Sequence, residues 1–260
     1  MNEKCINCLS NIKYDTDFMT MLQMLICDYR SYVQDQLSLC QSCIDLIDRS
    51  RVRKNENSRY VITDDNDFNE NDTFKKTTIE PELSYYKSIA HYSFHYTPFI
   101  QEYFYQLKAN GDIARASVLS NIIQKDLVYY ELQAKQCVIV PIPISEERLK
   151  IRGFNQVEVI LDASSIRYER ILRTNKQYTQ SQLTLEQRLA LNNPFYIDKD
   201  EIKKVSIDFK DKTIIIVDDI ITTGVTIHHA AQVLSHLNPY DIKVYAFANA
   251  GEKGYNKSRK

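Results

Sequence analysis

"KTIIIVDDIITTGVT", residues 212 to 226, sets a branched apolar run, Ile214 to Val217, directly before two adjacent carboxylates, Asp218 and Asp219. The apolar run reads as a buried strand. Charge at the end of such a strand is costly unless it is paired or opens onto solvent and a ligand. The acid pair is therefore expected to face a site. Beyond it come the hydroxyls of Thr222, Thr223 and Thr226, with Gly224 among them to let the backbone approach a ligand closely. A helix predicted from Thr226 to Leu237 would aim its free N–H groups and the positive end of its dipole at the same place, which favours a phosphate.

Carboxylates beside a phosphate cradle suit a phosphorylated sugar. They can accept hydrogen bonds from vicinal hydroxyls and offset positive charge developing at an anomeric carbon. The stretch reads as a ribose 5-phosphate site.

The rest of the chain bounds this reading. At 260 residues, 43% hydrophobic and 11% aromatic, it suits a soluble globular protein with one sizeable core and a small appendage, or two modest domains. A net charge of −1 gives no global basic field of the kind that would by itself argue for nucleic acid. The longest apolar-leaning stretch near the start, Phe18 to Cys27, contains Thr20 and Gln23. It is far short of the roughly 18 residues that cross a bilayer, so no membrane insertion is expected. The opening "MNEKCINC" has no signal-peptide core, and the expected compartment is the cytoplasm, where paired cysteines hold metal more often than disulfides.

Three zones follow. Residues 1–48 carry two Cys-x-x-Cys pairs, Cys5 with Cys8 and Cys40 with Cys43, around a Met- and Leu-rich segment of helical spacing. They are read as a small lobe binding Zn2+, although 31 residues separate the two pairs. Cys27 and Cys137 are read as core thiols. Residues 49–83, basic at first and then acidic in "DDNDFNEND", read as a polar linker or mobile loop. Residues 84–260 alternate strand and helix patterns. Strands are predicted in 85–96, 137–143, 169–173, 212–217 and 242–248, and helices near 98–109, 112–133, from Asn155, near 184–191 and from Thr226. That alternation points to a mainly parallel sheet flanked by helices, with ligands at the carboxyl ends of its strands.

"IIIVDDIITTGVT" resembles the 5-phosphoribosyl-1-pyrophosphate (PRPP) motif of type I phosphoribosyltransferases. "VPIPISEERLKIRGFNQ", residues 140 to 156, and "RTNKQYTQSQLTLEQRLALN", residues 173 to 192, resemble segments of the ComF branch of that fold family. In the second of these the matching positions are Gln180, Leu183, Arg188 and Asn192. "LKANGD", residues 107 to 112, resembles another stretch of that branch less closely, and the similarity spans nearly the whole chain. The resemblance implies a type I phosphoribosyltransferase-like fold. Asp218 and Asp219 would act at the ribose and be the catalytic acids of an active enzyme. Thr222, Thr223, Gly224 and Thr226 would cradle the 5-phosphate. The turn after Val140 would face the pyrophosphate, a role that the cations Arg148, Lys150 and Arg152 suit, with Mg2+ accompanying PRPP. Segment 174–192 would be a mobile loop closing over the site.

The resemblance also implies a competence role in uptake or processing of transforming DNA. The expected partners are a ComFA-like helicase and, as a candidate direct contact, single-stranded DNA. The alternatives are an active phosphoribosyltransferase in nucleotide salvage and a PRPP sensor without turnover. The sequence departs from many ComF proteins in one respect: where they carry further Cys-x-x-Cys pairs, this chain has its Asn- and Asp-rich stretch.

Overall fold

The computed structural model describes residues 4–11, 39–52, 60–61, 89–132, 134, 136–175, 193–222 and 224–250. In chain order the elements are α1 (Gln41–Ser50), β1 (Tyr60–Val61), β2 (Ile89–His95), α2 (Pro98–Ala109), α3 (Ala116–Leu132) and β3 (Cys137–Pro141). They continue with α4 (Glu146–Arg152), α5 (Gln156–Ala163), β4 (Leu172–Thr174), β5 (Phe195–Ile197), α6 (Lys199–Val205), β6 (Thr213–Ile221), α7 (Val225–Ser235) and β7 (Asp241–Asn249). Single 3-10 turns lie at Ile113–Arg115 and Phe209–Asp211.

The main sheet has the order β1-β2-β7-β6-β3. Among the described residues its four longer strands are mutually parallel and the two-residue β1 is antiparallel, pairing Tyr60 with Ala90. A separate antiparallel pair, β4 and β5, sets Arg173 against Tyr196. Parallel strands are buried on both faces, which explains why β6 opens on the unbroken apolar run Ile214 to Val217 and not on an alternating one. Its side chains still alternate between two clusters. Ile215 and Val217 join Phe94, Ile139, Tyr245 and Phe247 on the face covered by α1, α2, α3 and α5. Ile214 and Ile216 join Val138, Val140, Val244 and Ala246 on the face covered by α7.

The expected mainly parallel sheet flanked by helices is present. The predicted strands in 85–96, 137–143, 212–217 and 242–248 and the helices near 98–109, after Asn155 and before Leu237 all have counterparts within a few residues. The stretch 112–133 divides into a 3-10 turn and α3. The strand expected at 169–173 lies slightly later, as β4. The helix expected near 184–191, the helical spacing between the cysteine pairs and most of the segment 174–192 lie outside the described residues, as do most of residues 49–83.

The amino-terminal cysteine lobe does not stand apart from this core. Cys5, Leu39, Cys43, Ile44 and Ile47 are buried in the same cluster as Ile100, Phe104 and Leu107 of α2. These side chains use the face of the larger layer. Arg51, just after α1, is clipped to Asp126 of α3 at 2.7 Å, and Ser93 of β2 donates to the other oxygen of that carboxylate at 2.7 Å. Among the described residues no helix is long and apolar enough to cross a membrane.

Candidate functional site

β3 stops at Pro141, whose register partner on β6 is Val217. Asp218 and Asp219 therefore lie one and two residues beyond the point where their neighbour on that side ends. Ile142 still donates its N–H to the Val217 carbonyl at 2.8 Å, after which the chain leaves the sheet and enters α4. A cavity of about 430 Å3 opens where the strands part. This is the carboxyl end of a parallel strand, where open α/β sheets hold their ligands.

The cavity brings together groups that are far apart in the chain. Its walls include Asp218 and Asp219 of β6, Arg148 and Arg152 of α4, Thr226 of α7, Gln156 of α5 and Lys108 of α2. Arg148 and Arg152 are four residues apart and share one face of a helix, whereas Lys150 is not among the lining residues. The expected turn after Val140 is thus partly a helix. Ser145 caps it by accepting from the Arg148 N–H at 3.3 Å, and Glu146 and Glu147 occupy its first turn. It ends at Gly153, whose φ of +83° gives the left-handed reversal that brings the chain to Asn155.

Asn155 then caps α5, accepting from the Val157 N–H at 3.0 Å. Its amide donates to the Ile142 carbonyl at 3.0 Å, so one side chain fixes both ends of the cavity's basic wall. Gly224, φ +78°, is the cap residue of α7. Thr222 is exposed and is not among the residues lining the cavity, while Thr223 lies outside the described residues.

The two acids differ in surroundings. Asp218 Oδ1 accepts the backbone N–H of Asp219 at 2.8 Å. Asp219 Oδ2 receives the Lys108 ammonium at 2.5 Å and the Gln156 amide at 2.8 Å, while its Oδ1 accepts the Ile220 N–H at 2.7 Å. Gln156 is itself oriented by Arg152, which donates to its Oε1. Burial pushes the Asp219 carboxyl upward, but the Lys108 charge and these hydrogen bonds outweigh it and hold the group below its ordinary range. Arg152 is lowered by burial and by the neighbouring Arg148, against the opposing pull of Asp219. Neither Lys108 nor Gln156 was singled out from the sequence as a site residue. Both lie in segments noted there, the "LKANGD" stretch and the end of the stretch 140 to 156, but residue type and spacing alone do not show which helix meets the acid pair.

A second cluster lies in the amino-terminal lobe. Cys5, Cys8, Cys40 and Cys43 hold their sulfurs within 4.8 Å of one another, and the Cys8 and Cys40 sulfurs are 3.6 Å apart. Tetrahedral coordination with Zn–S bonds of about 2.3 Å sets sulfurs roughly 3.8 Å apart, so the donor set fits such an ion. Cys40 and Cys43 stand at the N-terminus of α1, which favours thiolates. Asn7 donates to the Cys43 sulfur at 3.3 Å, and Arg115 in turn donates to Asn7 at 2.7 Å. Burial disfavours the Cys8 thiolate, but contacts with Ser10 and the other cysteines bring that thiol down to about 6. Burial pushes Cys43 upward. The four cysteines can hold a metal ion.

Residues 156–260 match the model of the phosphoribosyl transferase domain family. The chain is 30% identical over 153 residues to competence protein ComFC of Streptococcus pneumoniae, covering 59% of this chain and 64% of that protein. It is 35% identical over 103 residues to competence protein ComFC of Bacillus subtilis, covering 38% of this chain and 39% of that one. Competence protein F of Haemophilus influenzae is 26% identical over 181 residues, covering 66% and 75%. The chain thus spans less than two thirds of the length of the first two relatives. The family match begins at Gln156, so it contains the acid pair but not Lys108, Arg148 or Arg152.

The lowered Asp219 carboxyl has a pH consequence whose sign is fixed. Its contribution to stability is complete above the unfolded carboxylate range of about pH 4 and is lost as pH falls through the lower folded value. In urea denaturation, Asp219→Asn is expected to be less stable than the unsubstituted chain at pH 7, with the gap closing on acidification. A gap independent of pH would contradict the arrangement.

Proposed function

We propose that this chain, a ComF-family, phosphoribosyltransferase-like protein, binds PRPP in the cavity at the end of β6 and serves in the uptake or processing of transforming DNA. The observation that carries the binding half is the cavity wall itself, where an acid pair, two arginines on one helix face and Thr226 converge. In this reading Asp218 and Asp219 act at the ribose. Thr222, Gly224 and Thr226, with Thr223 between them, serve the 5-phosphate through hydroxyls and the N-terminus of α7. Arg148 and Arg152 face the pyrophosphate, whose charge calls for fixed cations. Mg2+, when bound with PRPP, supplies further charge neutralisation.

If the site turns over, a nitrogen nucleophile forms a bond to the anomeric carbon as the bond from that carbon to the pyrophosphate oxygen breaks. The electron pair leaves with the pyrophosphate, the proton of the attacking nitrogen passes to solvent, and the acid pair stabilises the positive charge that develops at the anomeric carbon. The competence half rests on the similarity to proteins named competence protein ComFC and competence protein F. The cysteine lobe, with the segment that follows it, is then the surface for a ComFA-like helicase, and single-stranded DNA is a candidate direct contact. Its four cysteines hold one zinc.

Calorimetric titration with PRPP and Mg2+ is expected to show binding that falls at least about tenfold in the chain carrying Asp218→Asn and Asp219→Asn, a loss of about 1.4 kcal/mol or more. Gly224→Val is expected to be worse, because a branched side chain resists its positive φ. Unchanged affinity in either would overturn the site.

Deleting the protein is expected to abolish transformation while leaving purine and pyrimidine requirements unchanged. Normal transformation with a base-salvage defect, together with pyrophosphate release from PRPP and a base, would favour the salvage enzyme instead.

Elemental analysis is expected to find about one zinc per chain, lost in Cys40→Ser. Because Cys5 and Cys43 belong to the core shared with α2, metal loss should also lower the melting temperature of the whole chain. Metal content indifferent to Cys40 would exclude this site.

A further inference from the structure

The acid pair faces a ligand that the reading above makes strongly anionic. Two ionised carboxylates would repel it, yet both are placed where the sugar must lie. The structure contains a cation that resolves the conflict, on a helix outside the matched phosphoribosyl transferase region.

Lys108 lies in the last turn of α2, where a lysine ordinarily complements the helix dipole from solvent. Here its side chain is only 26% exposed, and its ammonium crosses to Asp219 of β6 at 2.5 Å. One turn earlier on the same helix, Phe104 presents its ring to the ammonium at 5.2 Å from the centroid. Phe104 is itself buried in the core. The ammonium thus sits between an aromatic face and a carboxylate, on the cavity wall. Gln156 adds a neutral donor to the same oxygen, and Asp218 makes a different set of contacts.

Resting on the PRPP reading, we propose that Lys108 is a built-in counter-ion of the acid pair, a positioning residue that neutralises Asp219 so that an anionic phosphorylated sugar can settle against the pair. Without Lys108 the same place is a doubly negative cation site. Its removal should therefore move two affinities in opposite directions. A free divalent ion should bind more tightly, and PRPP more weakly. A merely structural clamp between α2 and β6 would, on removal, loosen the cavity and weaken both or neither.

The test uses the full chain with Lys108→Met, a neutral side chain of similar length, and Lys108→Arg, which keeps the charge. Lys108→Gln carries the comparison should the methionine chain fail to fold by circular dichroism. Mn2+ alone is titrated first, then PRPP with Mg2+. The expected result is Mn2+ binding several-fold tighter and PRPP binding about tenfold weaker in the neutral variant. Lys108→Arg should restore both toward the original values. Parallel weakening of both ligands, or no change in either, overturns the counter-ion. If the unsubstituted chain binds no PRPP, the reading of the cavity falls. The Mn2+ comparison then decides the counter-ion separately, with equal Mn2+ affinity in the two chains overturning it.

Discussion

A carboxylate at the end of a strand buried on both faces has to be compensated, and the neighbourhood of Asp219 is organised around that need. Lys108 arrives from α2, Gln156 from α5 and the Ile220 N–H from the strand itself. Lys108 and Gln156 each tie an outer helix to β6 at the point where β3 has ended. An unpaired charge there would be expensive, so α2 and α5 are held in register with β6 by electrostatics as well as by the apolar cluster they share.

Much of this was legible in the sequence because the signals are local. A branched apolar run before two acids identifies β6, and the helices expected near 98–109 and from Asn155 begin where the side chains of Thr97 and Asn155 cap them. The cysteine pairs likewise announced their cluster, even across a long separation. Helix α4 was present in the sequence too, as Ser145, an acidic first turn, a basic last turn and Gly153. It was read as a turn because its seven residues bury no side chain and give no apolar stripe. Lys108 was not legible for a different reason. Its partner is 111 positions away, the difference between 219 and 108, and only the packing of α2 against the sheet shows which way a helix-terminal lysine reaches.

The cysteine lobe illustrates the limit of reading zones from composition. Spacing separates residues 1–48 from the rest, whereas packing merges their buried side chains with α2. The Asn7 amide that contacts the Cys43 sulfur is held by Arg115, and Arg115 is held by Asp112 at 2.7 Å, immediately after the α2 terminus. The metal-capable cluster and the helix that carries Lys108 are therefore neighbours in one packed layer.

The parallel pairing of β2 with β7 sets Ala90 beside Val244, a separation of 154 residues from the difference of the two positions. Such a ladder cannot begin before β7 has been synthesised. At roughly 5–20 residues per second, the completed β2 waits about 8 to 30 s for its partner on the ribosome. During that interval the backbone N–H and C=O groups on that edge of β2 are without the partner that later pairs them, and the long loop closure makes the pairing intrinsically slow. β7 stands between β2 and β6 and is the last strand in chain order among the described residues, so the two sides of the sheet join only once it is made.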